Sequence, residues 1–129
     1  MPYNPYANAN YKAKTIETYS PGELLVALFD GCILNLNKAK VHIQKKEIEN
    51  AYHTLNKAQK IVRYLNASLD MKYPISEELR NLYDFFDREL TQINMHKDIA
   101  KIDEILPLIE ELKVSFAQAD KINRQQQSM

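Results

Sequence analysis

Three histidines, one cysteine and one carboxylate set among apolar neighbours are the side chains of this 129-residue chain best suited to chemistry. The histidines are His42, His53 and His96. A di-metal carboxylate centre in a helical protein needs Glu-x-x-His on two helices, and none of the three has a glutamate three positions before it. A Cys-rich zinc site needs several thiolates, and Cys32 stands alone. It falls in an apolar stripe with Leu25, Phe29 and Leu36, where a small buried hydrophobe is expected rather than a nucleophile. Asp30, between Phe29 and Gly31, reads as a side-facing hydrogen-bonding group rather than a strained acid. Gly-rich phosphate loops, Ser/His/Asp constellations and paired carboxylates in apolar settings are absent. The chain reads as a non-enzyme with no catalytic residues, no metal and no cofactor.

One histidine supports an alternative. Ala51-Tyr52-His53-Thr54-Leu55-Asn56-Lys57-Ala58 faintly resembles the modified segment of histidine phosphotransfer bundles, in which an exposed histidine is followed closely by a lysine and a glycine. His53 points away from the core stripe, as such a histidine should. The lysine arrives one position late, however, and no glycine follows to admit a partner domain. A phosphotransfer-type signalling bundle using His53 is therefore the rival reading, and a solvated surface histidine is favoured over it.

These side chains have to be placed by elements that composition already restricts. The length fits one domain. Lys plus Arg is 17 and Asp plus Glu is 17, so the formal net charge is zero. A balanced chain lacks the electrostatic footprint of a nucleic-acid binder and the polybasic attraction to anionic lipid. Two glycines, no tryptophan and many Leu, Ile, Ala, Lys, Glu and Gln favour helix over sheet. A single cysteine suits a reducing cytosol. No leader pattern and no membrane-length apolar run is expected, so the sequence predicts a cytoplasmic protein without direct membrane binding.

Residues 1–19 read as an irregular, flexible arm with Pro2, Pro5 and several Asn. The arm holds Tyr3, Tyr6, Tyr11 and Tyr19, four of the eight tyrosines, and aromatics are depleted in segments that stay solvated. The helical bundle spans 20–120, and 121–129 is a polar, frayed tail. The first helix opens at Ser20-Pro21-Gly22-Glu23, a capping box with Pro at the first helical position. It runs to about residue 45 on the stripe Leu25, Phe29, Cys32, Leu36, Ala39, Ile43. The second helix uses Ile48, Ala51, Leu55, Ala58, Val62, Leu65 and Leu69. The third, with Ser76 as its expected N-cap, uses Leu79, Tyr83, Phe86, Leu90 and Ile93. The fourth, with Asp98 as N-cap and Pro107 inside, runs to about residue 119 on Ile102, Ile105, Ile109, Leu112, Phe116 and Ala119. Steps alternating between three and four on every segment imply near-aligned packing. Short connections make neighbours antiparallel. The fold class is all-α: an antiparallel up-down-up-down four-helix bundle with an N-terminal arm.

The helices carry more apolar surface than one core needs. At about 100° per residue, Ala27, Leu34 and Val41 fall opposite the core stripe of the first helix. Val26 and Ile33 lie on its shoulder. Ile61 and Tyr64 form a shoulder on the second helix, and Phe85 stands beside Phe86 on the third. A second apolar stripe at heptad spacing suits a groove that receives another helix. Val26, Ile33, Leu34, Val41, Ile61, Tyr64 and Phe85 are the candidate groove residues.

Several segments together resemble the flagellin-specific export chaperones of the FliS family over nearly the whole chain. Asn4-Pro5-Tyr6 is similar to that family's tyrosine-bearing arm. Ser20-Pro21-Gly22-Glu23-Leu24 followed by Leu28-Phe29-Asp30-Gly31 resembles its most specific signature. Lys57-Ala58-Gln59-Lys60-Ile61-Val62 with Leu65-Asn66 and Leu69-Asp70, then Leu82-Tyr83-Asp84-Phe85-Phe86 with Arg88-Glu89-Leu90, resemble the motifs of the next two helices. Phe29 stands where the family usually has tyrosine, and Phe116 where tryptophan is common. The resemblance implies a cytoplasmic chaperone that binds the disordered C-terminal segment of flagellin and prevents premature polymerisation. It also implies delivery to the type III export gate through the cytoplasmic domain of FlhA, with Tyr6, and Tyr3 beside it, in the docking arm. In the free chaperone that arm is implied to lie over part of the client groove.

Overall fold

The computed structural model describes residues 18–127. Tyr3 and Tyr6 lie outside the described residues. Within them the chain forms α1 (Pro21–Gln44), α2 (Ile48–Ala67), α3 (Ile75–His96) and α4 (Ile99–Gln127). Each helix packs on the next, and α4 returns to α1. With connections too short to reverse twice, this is the expected all-α four-helix bundle.

The start of α1 is fixed by reciprocal bonds. The Glu23 amide donates to Ser20 Oγ at 3.1 Å, and the Ser20 amide donates to Glu23 Oε1 at 3.2 Å. Pro21 has no N–H, so two of the three orphan donors of the first turn are thus satisfied, a feature worth about 1 kcal/mol. At α4 the Lys101 amide donates to Asp98 Oδ1 at 3.3 Å, as expected of an N-cap. Ser76 is not a cap. Pro74 adopts helical dihedrals, α3 begins at Ile75, and Ser76 sits buried with its hydroxyl donating to Asp70 O at 2.6 Å. That bond ties the α2–α3 connection to the helix it precedes.

The core follows the predicted stripes. Phe29, Cys32, Leu36 and Ala39 meet Leu55, Ala58, Val62 and Leu65 from α2. Leu79, Tyr83, Phe86, Leu90 and Ile93 close it from α3, and Ile102, Ile105 and Ile109 from α4. Phe29 stacks on Phe116 with ring centroids 5.5 Å apart and meets Tyr83 at 6.5 Å, so one aromatic cluster joins α1, α3 and α4. Ile48 departs from its predicted place. As the first residue of α2 it sits at the bundle's end, and it is exposed.

Polar groups fix the α2–α3 pairing. Gln59 Nε2 donates to Asp87 Oδ1 and Thr91 Oγ1, both at 2.8 Å, and Arg63 Nε reaches the same Asp87 oxygen at 2.9 Å. Asn66 Nδ2 donates to Asp84 Oδ1 at 2.8 Å, and Asn94 Nδ2 to Asn56 Oδ1 at 3.2 Å. A ladder of this kind penalises any slip of α3 along α2, because a slip leaves Gln59 and Asp87 short of partners.

The last helix is longer than the sequence predicts. It runs through Pro107 and past residue 119 to Gln127. Arg124 holds the extension. It pairs with Asp120 at 3.1 Å and reaches Glu23 of α1 at 4.0 Å. The Asp120 carboxylate lies against Gly22, where an added Cβ would collide with Asp120 Oδ1. Any larger residue at position 22 would push the carboxylate aside, and the carboxylate gains from the positive end of α1.

Candidate functional site

The residues with chemical potential are placed structurally. Cys32 is sealed in the core with its thiol 3.9 Å from Ala58 O, and burial pushes its pKa to about 12. His42 Nδ1, in the last turn of α1, meets Oε1 of Glu47, the residue before α2, at 2.8 Å. His53 is exposed, lies edge-on to Tyr52 and stands 3.9 Å from Glu49. Asp30 makes an ion pair with Lys113 of α4 at 2.6 Å, a side-facing structural contact. Among the described residues no group of three or more His, Cys, Asp or Glu side chains could hold a metal ion.

The apolar candidates fall on three different surfaces. Val26 and Ile33 are one heptad apart, and Lys40, one heptad further, pairs with Asp103 of α4 at 2.5 Å. That line of α1 therefore faces α4. Ile33 packs against the core, and Val26 lines a hollow of about 270 Å³ with Ala27, Asp30, Ala117, Asp120 and Arg124. Phe85 lies elsewhere. Glu89, one turn after it, reaches Lys101 of α4 at 3.6 Å, whereas Asp84 and Asp87 bond to α2. Phe85 thus stands on the α3–α4 seam, partly buried against the core.

The remaining four candidates belong to α1 and α2. Leu34 is 53% exposed, Val41 44% and Tyr64 54%. Gly31, Leu34 and Val41 follow one helical line of α1, and Ile61 and Tyr64 share a line of α2. The two lines meet at Gly31, where an added Cβ would lie only 3.3 Å from Ile61 Cδ1. The absent side chain lets α2 approach α1 closely, with Ile61 half-buried in the furrow between them; Leu34 and Val41 stand exposed on the outer face of α1, and Tyr64 is exposed one turn beyond Ile61. Exposed large hydrophobics on two adjacent helices, bordering the furrow between them, are a docking feature.

Sequence reasoning did not single out Gly31 as the floor of this furrow. A second hollow, about 460 Å³, opens between the start of α1 and the end of α4. Its apolar lining includes Leu25, Phe116 and Ala119, with Arg124 at its edge.

Residues 2–123 match the family described as flagellar protein FliS. The chain belongs to the FliS family. It is 29% identical to the flagellar secretion chaperone FliS of Bacillus subtilis (strain 168) over 121 residues, covering 94% of this chain and 90% of the relative. It is 31% identical to that of Vibrio cholerae over 101 residues, covering 77% and 74%. Against the Salmonella typhimurium protein it is 28% identical over 116 residues, covering 88% and 85%. The FliS resemblance rested on residues whose roles the structure displays. Ser20 and Glu23 cap α1, Phe29 centres the aromatic cluster, Asp30 ties α1 to α4, and Gly31 admits α2. In this FliS-family bundle Phe116 of α4 stacks on Phe29 of α1.

Proposed function

We propose that this FliS-family chaperone carries flagellin by its C-terminal segment, keeps it from polymerising early, and delivers it to the flagellar type III export gate. The observation that carries the reading is the exposed apolar surface of Leu34, Val41 and Tyr64 on α1 and α2, beside the furrow at Ile61, on a chain of this family. A disordered segment that folds into amphipathic helices on such a furrow loses conformational entropy as it binds. That moderates affinity and permits release for export. Val26, Ile33 and Phe85 border the α1–α4 and α3–α4 seams, which suits a client wrapping more than one side of the bundle. The arm, residues 1–19, supplies Tyr6 and Tyr3 for docking to the cytoplasmic domain of FlhA, and in the free chaperone it competes for the client surface. The setting is the cytosol, and no helix among the described residues is long and apolar enough to cross a membrane.

Sedimentation of the full chain with a flagellin C-terminal segment tests the reading. A 1:1 heterocomplex is expected. Dimers of the chaperone that ignore the segment would instead make the furrow a self-interface and refute it.

A further inference from the structure

After Phe116 the last helix stops contributing to the core. No residue from 117 to 126 joins the apolar cluster, Ala117 and Ala119 are only half-buried, and Ile122 is exposed. These turns lie along the start of α1, and two hollows border the contact. The larger has Leu25 and Phe116 in its lining, the smaller Tyr19 and Val26, and Asp120 and Arg124 line both. Charge spans the contact. Arg124 Nη2 meets Asp120 Oδ2 at 3.1 Å, and Nη1 reaches Glu23 Oε2 at 4.0 Å. Glu23 has a second task, because its other oxygen accepts from the Ser20 amide in the capping box. One carboxylate thus serves both the start of α1 and the end of α4. The next ion pair along the seam, Asp30 with Lys113, lies on the core side of Phe116.

The Glu23 and Asp120 side chains are largely withdrawn from solvent, 21% and 11% exposed, whereas Arg124 is 52% exposed. Without the guanidinium, two like charges face each other in partial burial, which disfavours the contact. Helix propensity alone holds a segment this short only marginally in water, and regions with few buried apolar contacts open locally at low cost. We infer that residues 117–127 form a charge-latched strap. When Arg124 releases Glu23, these turns leave α1 together, the two hollows that share Asp120 and Arg124 as walls join into one recess beside Phe116, and the four-helix core stays closed. The latch stands where residues 1–17 join the bundle, since Tyr19 shares a hollow with Arg124. The inference is independent of the secretion-client reading.

Amide hydrogen exchange of the full chain, read residue by residue at low and high salt, tests the strap. Arg124→Gln preserves helix propensity. It is expected to speed exchange of residues 117–124 about fivefold at low salt while residues 102–113 stay protected. The Ser20 amide, which shares Glu23, should speed up with them. Raising salt should speed the same amides in wild type, and that effect should be lost in the variant. Adding Asp120→Asn to Arg124→Gln removes the like-charge repulsion and should recover part of the protection. Ser20→Ala leaves Glu23 and Arg124 in place, so residues 117–124 should not respond to it. If Arg124→Gln leaves residues 117–124 at the wild-type rate, or speeds only 125–127, the end of α4 frays without a latch and the inference is overturned. Exchange that rises evenly along α4 from residue 102 would show that the strap is not a separate unit, and would overturn it equally.

Discussion

Leu34 and Leu36 are two residues apart and chemically identical, yet the fold gives them opposite tasks. Leu36 is fully buried, and Leu34 is 53% exposed on the outer face of α1. Leu36→Ala removes three core carbons from a site enclosed by α1, α2 and their neighbours. The lost transfer energy plus the residual cavity amounts to about 3 kcal/mol. For a chain of this length that corresponds to a fall in Tm of about 12 °C. Leu34→Glu removes a side chain that folding buries only in part. Glutamate is as good a helix former, so the cost is about 0.5 kcal/mol. Thermal and urea unfolding followed by circular dichroism measures both changes, and binding of a labelled flagellin C-terminal segment measures function. The expected pattern is a double dissociation. Leu34→Glu unfolds like wild type but binds at least tenfold more weakly, whereas Leu36→Ala is unstable but binds normally well below its Tm. An unfolded Leu34→Glu protein, or a Leu36→Ala protein within 1 kcal/mol of wild type by the criterion of core burial, would refute the assignment of the two faces.

Four further outcomes follow from the same structure. Ser20→Ala removes one half of the capping box and should cost about 1 kcal/mol, with faster amide exchange confined to the first turn of α1; exchange unchanged there would contradict the cap. Asp87→Ala removes the carboxylate shared by Gln59 Nε2 and Arg63, while Gln59 keeps Thr91 Oγ1 and the main-chain carbonyl of residue 87, so it should cost about 1 kcal/mol in urea unfolding, whereas a neutral change would remove the register role of the α2–α3 ladder. Cys32 and Tyr83 both have pKa values raised by burial, to about 12 from ordinary values of 9.0 and 10.0. The unfolded chain therefore releases these protons first as pH rises, so stability should fall progressively between about pH 9 and 12, and Cys32→Ala should flatten that slope. Deleting residues 1–17 should leave the fold intact and client affinity equal or higher; a large affinity loss in a folded truncation would make the arm a direct client contact.

Much of this architecture was legible in the residues because helical periodicity reports directly on burial. Phe29, Cys32, Leu36, Tyr83, Phe86 and Ile109 declared themselves by spacing alone, and Ser20-Pro21-Gly22-Glu23 declared the start of α1 by capping chemistry. Periodicity does not say which neighbour covers a shoulder. Val26, Ile33 and Phe85 looked equivalent to Ile61 on a wheel, yet the ion pairs of Lys40 and Glu89 turn their lines toward α4. The same limit hid the extension of α4, whose polar residues gave no apolar signal. It is held instead by Arg124, Asp120 and the gap at Gly22. Ser76 resembled a cap by type, but the backbone of Pro74 is already helical, and the hydroxyl found the Asp70 carbonyl. Gln59 and Thr54 are buried without belonging to any apolar stripe. Gln59 is satisfied across the α2–α3 seam, and Thr54 bonds back to the carbonyls of Asn50 and Ala51, so neither could be recognised from its own helix.

The most direct test is a residue-resolved NMR titration of the full chain with the flagellin C-terminal segment. Saturable shifts at the methyl groups of Leu34, Val41 and Ile61 and at the Tyr64 ring, with Leu36, Leu55 and Leu90 little changed, are the predicted result. Binding that leaves the α1–α2 furrow unperturbed, or no binding, would contradict the account.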